Sequence, residues 1–169
     1  MILGLTTAQF TFLHIVLSFL GIFTGFVVMG GLVHGRSSKF STAAFLLFTV
    51  LTTATGFMFP ILQPFPSPAF VTGVVSSLLL VAALVALYAK RTLGSWRWIY
   101  LVTAVMAQWL NAFVFVVQTF EKVPVLKAMP VPSAAFLVSQ GLVLAFHVII
   151  GFVAVRKFHP ELGLSPRLA

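Results

Sequence analysis

Five long apolar runs, separated by short connections, dominate this chain of 169 residues, and no water-facing surface of ordinary composition is left over to wrap them. Each run is close to the roughly 20 residues that carry a helix across the hydrocarbon of a bilayer, where every backbone N–H and C=O must be satisfied within the protein. The pattern predicts an all-α integral membrane protein, a five-transmembrane-helix bundle. The expected spans are approximately 9–33, 42–62, 68–89, 97–119 and 134–155, within a single membrane domain 1–169. Composition agrees, with 60% hydrophobic residues and only 7% charged. The first run is too long for a signal-peptide core and lacks a small-x-small cleavage site, so it is expected to stay in the mature protein.

The cations orient the bundle. Arg36, Lys39, Lys90, Arg91, Arg97, Arg156, Lys157 and Arg167 fall on one side of the predicted spans, and only Lys122 and Lys127 on the other. The positive-inside rule then places the N-terminus outside and the C-terminus in the cytoplasm. The formal charge of +8 is spread beside apolar spans as twos and threes, where it anchors helices to headgroups and does not form a nucleic-acid surface. Zero cysteines removes disulfides, thiolate metal sites and cysteine nucleophiles together.

Boundary residues support the spans. Ser41, Ser67, Ser95 and Ser133 stand where N-cap oxygens are needed, and Pro68 falls at a first helical position. Four prolines between Pro60 and Pro68 predict a rigid, extended turn, and one interfacial helical turn is expected around Val125 to Met129. Trp96, Trp98 and Tyr100 read as aromatic anchors at the inner interface. No internal repeat of the kind common in transporters is seen.

Helical periodicity then sorts the faces. His14, Ser18, Gly21 and Gly25 form a small, polar seam on the first span, with Phe12, Phe19, Phe23 and Phe26 on another face. Gly21 and Gly25 make a small-xxx-small pair, which predicts close helix packing, either within the chain or against another subunit. Thr49, Thr52, Thr53, Thr55 and Gly56 concentrate hydroxyls on the second span as interhelical glue or, alternatively, as the lining of a solute path.

Gln108 and Asn111 on the fourth span, and Gln140 and His147 on the fifth, are polar groups in hydrocarbon and should face inward. At about 1.5 Å rise per residue, Gln108 and His147 lie roughly 16 and 12 Å from the inner boundary, and Asn111 and Gln140 roughly 21 and 22 Å. Matched depth predicts a midplane cluster of the four, either a structural network or a site for a quinone, lipid headgroup or other small ligand. His14 and Gln118 are similarly matched in depth as an outer polar pair.

Sharper chemistry finds little support. Haem b needs axial imidazoles, and His14 and His147 are separated by about 15 Å in depth, with His34 at the inner boundary and His159 beyond the last span. Only a single-ligand haem, or one shared with another subunit, stays open. The two acids, Glu121 and Glu161, both lie outside the spans, leaving no intramembrane carboxylate for a proton or cation relay. No H-E-x-x-H sequence is present, and Ser139 and His147 lie on different helical faces.

The stretch Asn111 to Pro130 (NAFVFVVQTFEKVPVLKAMP) resembles the small polytopic inner-membrane proteins found widely in bacterial genomes without assigned activity. The resemblance implies a bacterial inner membrane and transfers no functional residue. The expectation is a noncatalytic membrane subunit or accessory protein whose partners are lipids and other membrane subunits or a second copy. A redox component binding quinone or haem is the first alternative, and a small-solute transporter or channel the second.

Overall fold

A computed structural model describes residues 1–59, 67–129 and 132–160. Its helices are α1 (Thr7–Val33), α2 (Lys39–Phe57), α3 (Pro68–Leu84), α4 (Trp96–Lys122), the single turn α5 (Pro124–Lys127) and α6 (Ala134–Lys157). A π-helical turn, Val85–Ala89, prolongs α3. No strand is present among the described residues, and five of the helices are long and apolar enough to cross a membrane. The connection predicted over Pro60 to Pro68 falls outside the described residues from position 60 to 66, as do Pro130, Glu161 and Arg167.

Local chemistry explains most boundaries. Thr6 caps α1 through a capping box: its hydroxyl accepts from Gln9 N at 3.3 Å while Gln9 Oε1 accepts from Thr6 N at 3.0 Å. Ser67 and Ser133 cap α3 and α6 by accepting from Phe70 N and Phe136 N, with Pro68 at the start of α3. Two expected caps shift. The cap of α2 is Ser38, whose hydroxyl accepts from Ser41 N, so the helix begins three residues before Thr42 and Ser41 lies inside its first turn. Ser95 has helical dihedrals and makes no side-chain cap, because the preceding turn already delivers the chain in helical conformation.

α4 is the centre of the bundle, packing against α1, α3 and α6, while α2 lies against α1 and α3. Its inward face is small at Ala104 and Ala107, which are fully buried and let neighbouring helices approach. Phe45 and Leu46 of α2, Met29 and Leu32 of α1, Leu80 of α3 and Ala154 of α6 close the core around that face. Tyr100 belongs to this core and is not an interfacial anchor: it is 0% exposed, with its ring near that of Phe158, whereas Trp98 stays 49% exposed. The difference is rotational, since Tyr100 lies two residues beyond Trp98 and therefore on the opposite side of α4.

Among the described residues, the cations other than Lys122 and Lys127 gather at one end. Arg97 of α4 donates from Nη1 to the carbonyls of Val155 at 3.0 Å and Phe158 at 2.7 Å, capping α6 with a cation where its dipole is negative. The α1–α2 loop reaches the same place. A Cβ on Gly35, which has φ +69°, would sit 2.8 Å from the Lys157 carbonyl oxygen.

Candidate functional site

The polar residues predicted to meet at mid-bundle are each engaged with a different neighbour. Gln108 Nε2 donates to the Ile22 carbonyl of α1 at 3.0 Å, and Asn111 Nδ2 to the Thr49 hydroxyl of α2 at 3.2 Å. Gln140 Nε2 donates to the Phe113 carbonyl of α4 at 3.2 Å. His147 bonds its own helix, Nδ1 to the Val143 carbonyl at 2.8 Å, between the rings of Phe26 and Phe146. No hydrogen bond links any two of the four. Three residues along α4 correspond to about 300° of rotation, enough to aim Gln108 at α1 and Asn111 at α2.

The seam of α1 divides in the same way. At Gly21 the nearest atoms to a built Cβ belong to α2, Thr49 Oγ1 at 3.5 Å and Phe48 C at 3.6 Å. At Gly25 the same space is filled by the Gln108 carboxamide, so this glycine is the socket of an interhelical hydrogen bond. Both glycines are buried within one chain. Ser18 donates to the His14 carbonyl, and Thr53 joins Ser76 of α3 at 3.2 Å.

The outer pair does not form. His14 Nδ1 meets Thr55 Oγ1 at 2.7 Å, and Gln118 is exposed on α4. Thr55 already donates to the Leu51 carbonyl, so the imidazole is the donor in the bond to His14. His14 Cε1 also lies 3.6 Å from the position of a Cβ on Gly56. Thr52 is half-buried, and its hydroxyl has no hydrogen-bond partner.

One concave region does contain a predicted residue. A groove of about 390 Å³ runs between α4 and α6, with Val105, Met106 and Trp109 on one side and His147, Gly151 and Phe152 on the other. Because a carbonyl can only accept, His147 Nδ1 carries the proton and Nε2 of the neutral ring is a lone-pair acceptor. His147 is 2% exposed, and its Nε2 and Trp109 Nε1 are both buried without a partner. The groove thus brings one acceptor and one donor into an apolar wall. Sequence reasoning missed Trp109, which reads as an ordinary aromatic until α6 is seen beside it, and missed Thr49 as the acceptor for Asn111. Among the described residues, no group of three or more His, Asp or Glu side chains could hold a metal ion.

Comparison with protein-family models, with curated proteins and with solved structures finds no match to this chain.

Proposed function

We propose that the chain is a noncatalytic subunit or accessory component of a larger membrane assembly, spanning a bacterial inner membrane with its basic end in the cytoplasm. The observation that carries this reading is the coverage of α6. Only 6% of its most apolar stretch is buried, against 44% for α4, and Leu137, Val138, Leu142, Val148 and Ile149 all face outward. The polar side chains on α4 and on the facing helices tie helix to helix, which suits a scaffold. Orientation rests on the cations at the Arg97 end, which cytoplasmic placement accommodates. Gentle extraction from the native membrane, native separation and mass spectrometry test the reading. A stoichiometric partner membrane protein supports it, and a species composed of this chain alone refutes it.

The α4–α6 groove favours a second reading, a quinone or haem component. Nε2 of His147 would accept from a quinol hydroxyl or ligate an iron, and the Trp109 N–H would donate to a quinone carbonyl. His147→Leu should abolish binding of an added ubiquinone analogue or of haem while leaving the helical bundle folded. Unchanged binding removes this assignment.

A further inference from the structure

We propose that the groove between α4 and α6 seats an acyl chain of an anionic phospholipid, whose phosphate is held by Arg97 and Arg156 at the groove's basic end. The inference goes beyond the subunit reading and holds with or without a protein partner. It gives the groove a different occupant from the quinone or haem reading.

The shape of the groove suits a chain. Its floor is buried at Leu101, Val105 and His147, while Val102, Met106 and Val148 are exposed along its lips, so it opens sideways, where lipid lies. Gly151 gives it part of its width, because a Cβ there would already lie 3.6 Å from Val105 Cγ1 on the facing helix. The polar atoms Nε2 of His147 and Nε1 of Trp109 are buried within the walls, which leaves the lining apolar. The α4 wall runs from Trp98 to Trp109 and the α6 wall from Val155 back to Leu144. Each is about 16 Å long at 1.5 Å per residue, close to one leaflet's half of a hydrocarbon core of about 30 Å.

The charge at the groove's end selects the headgroup. Arg97 Cζ lies 5.1 Å from the ring centroid of Trp98, and Arg156 Cζ lies 4.0 Å from that of Phe152. Trp98 and Phe152 line opposite walls, so each wall carries a guanidinium against one of its own rings at the basic end. Arg97 is further fixed by its two bonds from Nη1 to the Val155 and Phe158 carbonyls, which use two of the five N–H donors of a guanidinium. Among the described residues the only acid, Glu121, lies in the last turn of α4, at the end away from Arg97. Two guanidinium forks match the oxygens of a phosphodiester, and a basic site between membrane helices is where anionic headgroups bind. A neutral quinone has no use for that pair of charges, whereas an anionic phospholipid uses both the cations and the apolar trough.

The test uses the full chain, purified and delipidated in detergent, then titrated under native mass spectrometry with phosphatidylglycerol, phosphatidylcholine and a ubiquinone analogue. Wild type should hold one phosphatidylglycerol about tenfold or more tightly than phosphatidylcholine, the effect of a hydrogen bond to a charged group. Arg156→Gln is the chosen variant because Arg97 also caps α6, and it should lose most of that preference. Lys39→Gln, at the same end of the bundle but on α2, should keep it. Val102→Trp should cover the groove from its exposed lip and weaken the binding of both phospholipids. His147→Leu should bind phosphatidylglycerol as wild type does, because an acyl chain needs only an apolar wall. The same variant removes the quinone site, so the two assignments fail on different results. Equal retention of the two phospholipids by wild type overturns the proposal, as does an Arg156→Gln variant with unchanged preference or a Lys39→Gln loss equal to that of Arg156→Gln. It is also overturned if Val102→Trp binds as wild type, if His147→Leu loses phosphatidylglycerol, if wild type prefers the ubiquinone analogue, or if a dimer of the chain forms in place of a lipid complex.

Discussion

Gly21 and Gly25 belong to one small-xxx-small pair, yet the structure requires them to answer the same substitution in opposite ways. A methyl group at Gly21 meets Thr49 Oγ1 at 3.5 Å, an ordinary contact, so Gly21→Ala should be neutral or stabilising by up to about 1 kcal/mol through helix propensity. At Gly25 the methyl group would displace the Gln108 carboxamide from the Ile22 carbonyl. The lost interhelical bond is worth about 0.6 kcal/mol in membranes, and forced repacking of a buried side chain about 1–3 kcal/mol, with propensity offsetting about 1 kcal/mol. Gly25→Ala should therefore be destabilised by roughly 0.6–2.6 kcal/mol. Reversible unfolding in mixed detergent micelles measures the difference, and a double-mutant cycle tests its cause. In a Gln108→Ala background the socket is vacant, so Gly25→Ala should add little or no further destabilisation. Equal responses at the two glycines, or an undiminished Gly25→Ala effect in the Gln108→Ala background, would refute the reasoning.

Replacing Arg97 by Ala removes both caps of α6, and hydrogen exchange at the α6 C-terminus should accelerate while the α1–α2 pair stays protected; uniform exchange across both regions would contradict the capping role. Lysine at that position should restore part of the protection, since it offers a charge without the guanidinium fork. Gly35→Ala meets both a left-handed φ of +69° and the Lys157 carbonyl, so it should be destabilised by about 1–3 kcal/mol in the same unfolding assay, whereas Gly94→Ala, at φ +54° with open space around it, should be affected less. Asn111→Leu leaves the buried Thr49 hydroxyl without its donor, and thermal unfolding should shift downward, with Thr49→Val in the same background recovering part of the loss.

The spans were legible because they follow from composition along the chain. Pro68, Ser67 and Ser133 mark helix starts through their own local chemistry, and the helical turn expected around Val125 to Met129 appears as α5, Pro124–Lys127. The Phe-rich back of α1 is likewise exposed at Phe12, Phe19 and Phe23, as its periodicity implies. Ser41 misled because Ser38, three residues earlier, is an equally good cap and Lys39 is tolerated in the first turn.

The candidate site was legible only in depth. Rise per residue orders Gln108, Asn111, Gln140 and His147 along the bundle axis, and all four do turn inward or are half-buried. It carries no information about which neighbour stands at each azimuth. Matched depth therefore suggested one cluster where the bundle makes separate ties, from Gln108 to α1, Asn111 to α2 and Gln140 to α4.

What the sequence by itself determined is one-dimensional: five apolar helices, their approximate ends and the gathering of most cations at one end, whereas Glu121, expected outside the spans, lies in the last turn of α4. Only the tertiary structure decided that α4 is central, that Gly25 receives Gln108 while Gly21 meets α2, and that His147 shares a groove with Trp109. The physical reason is that hydropathy and helical rise act along a single chain, whereas partner choice depends on the relative rotation and placement of helices distant in sequence, set by how small residues and polar tips interlock.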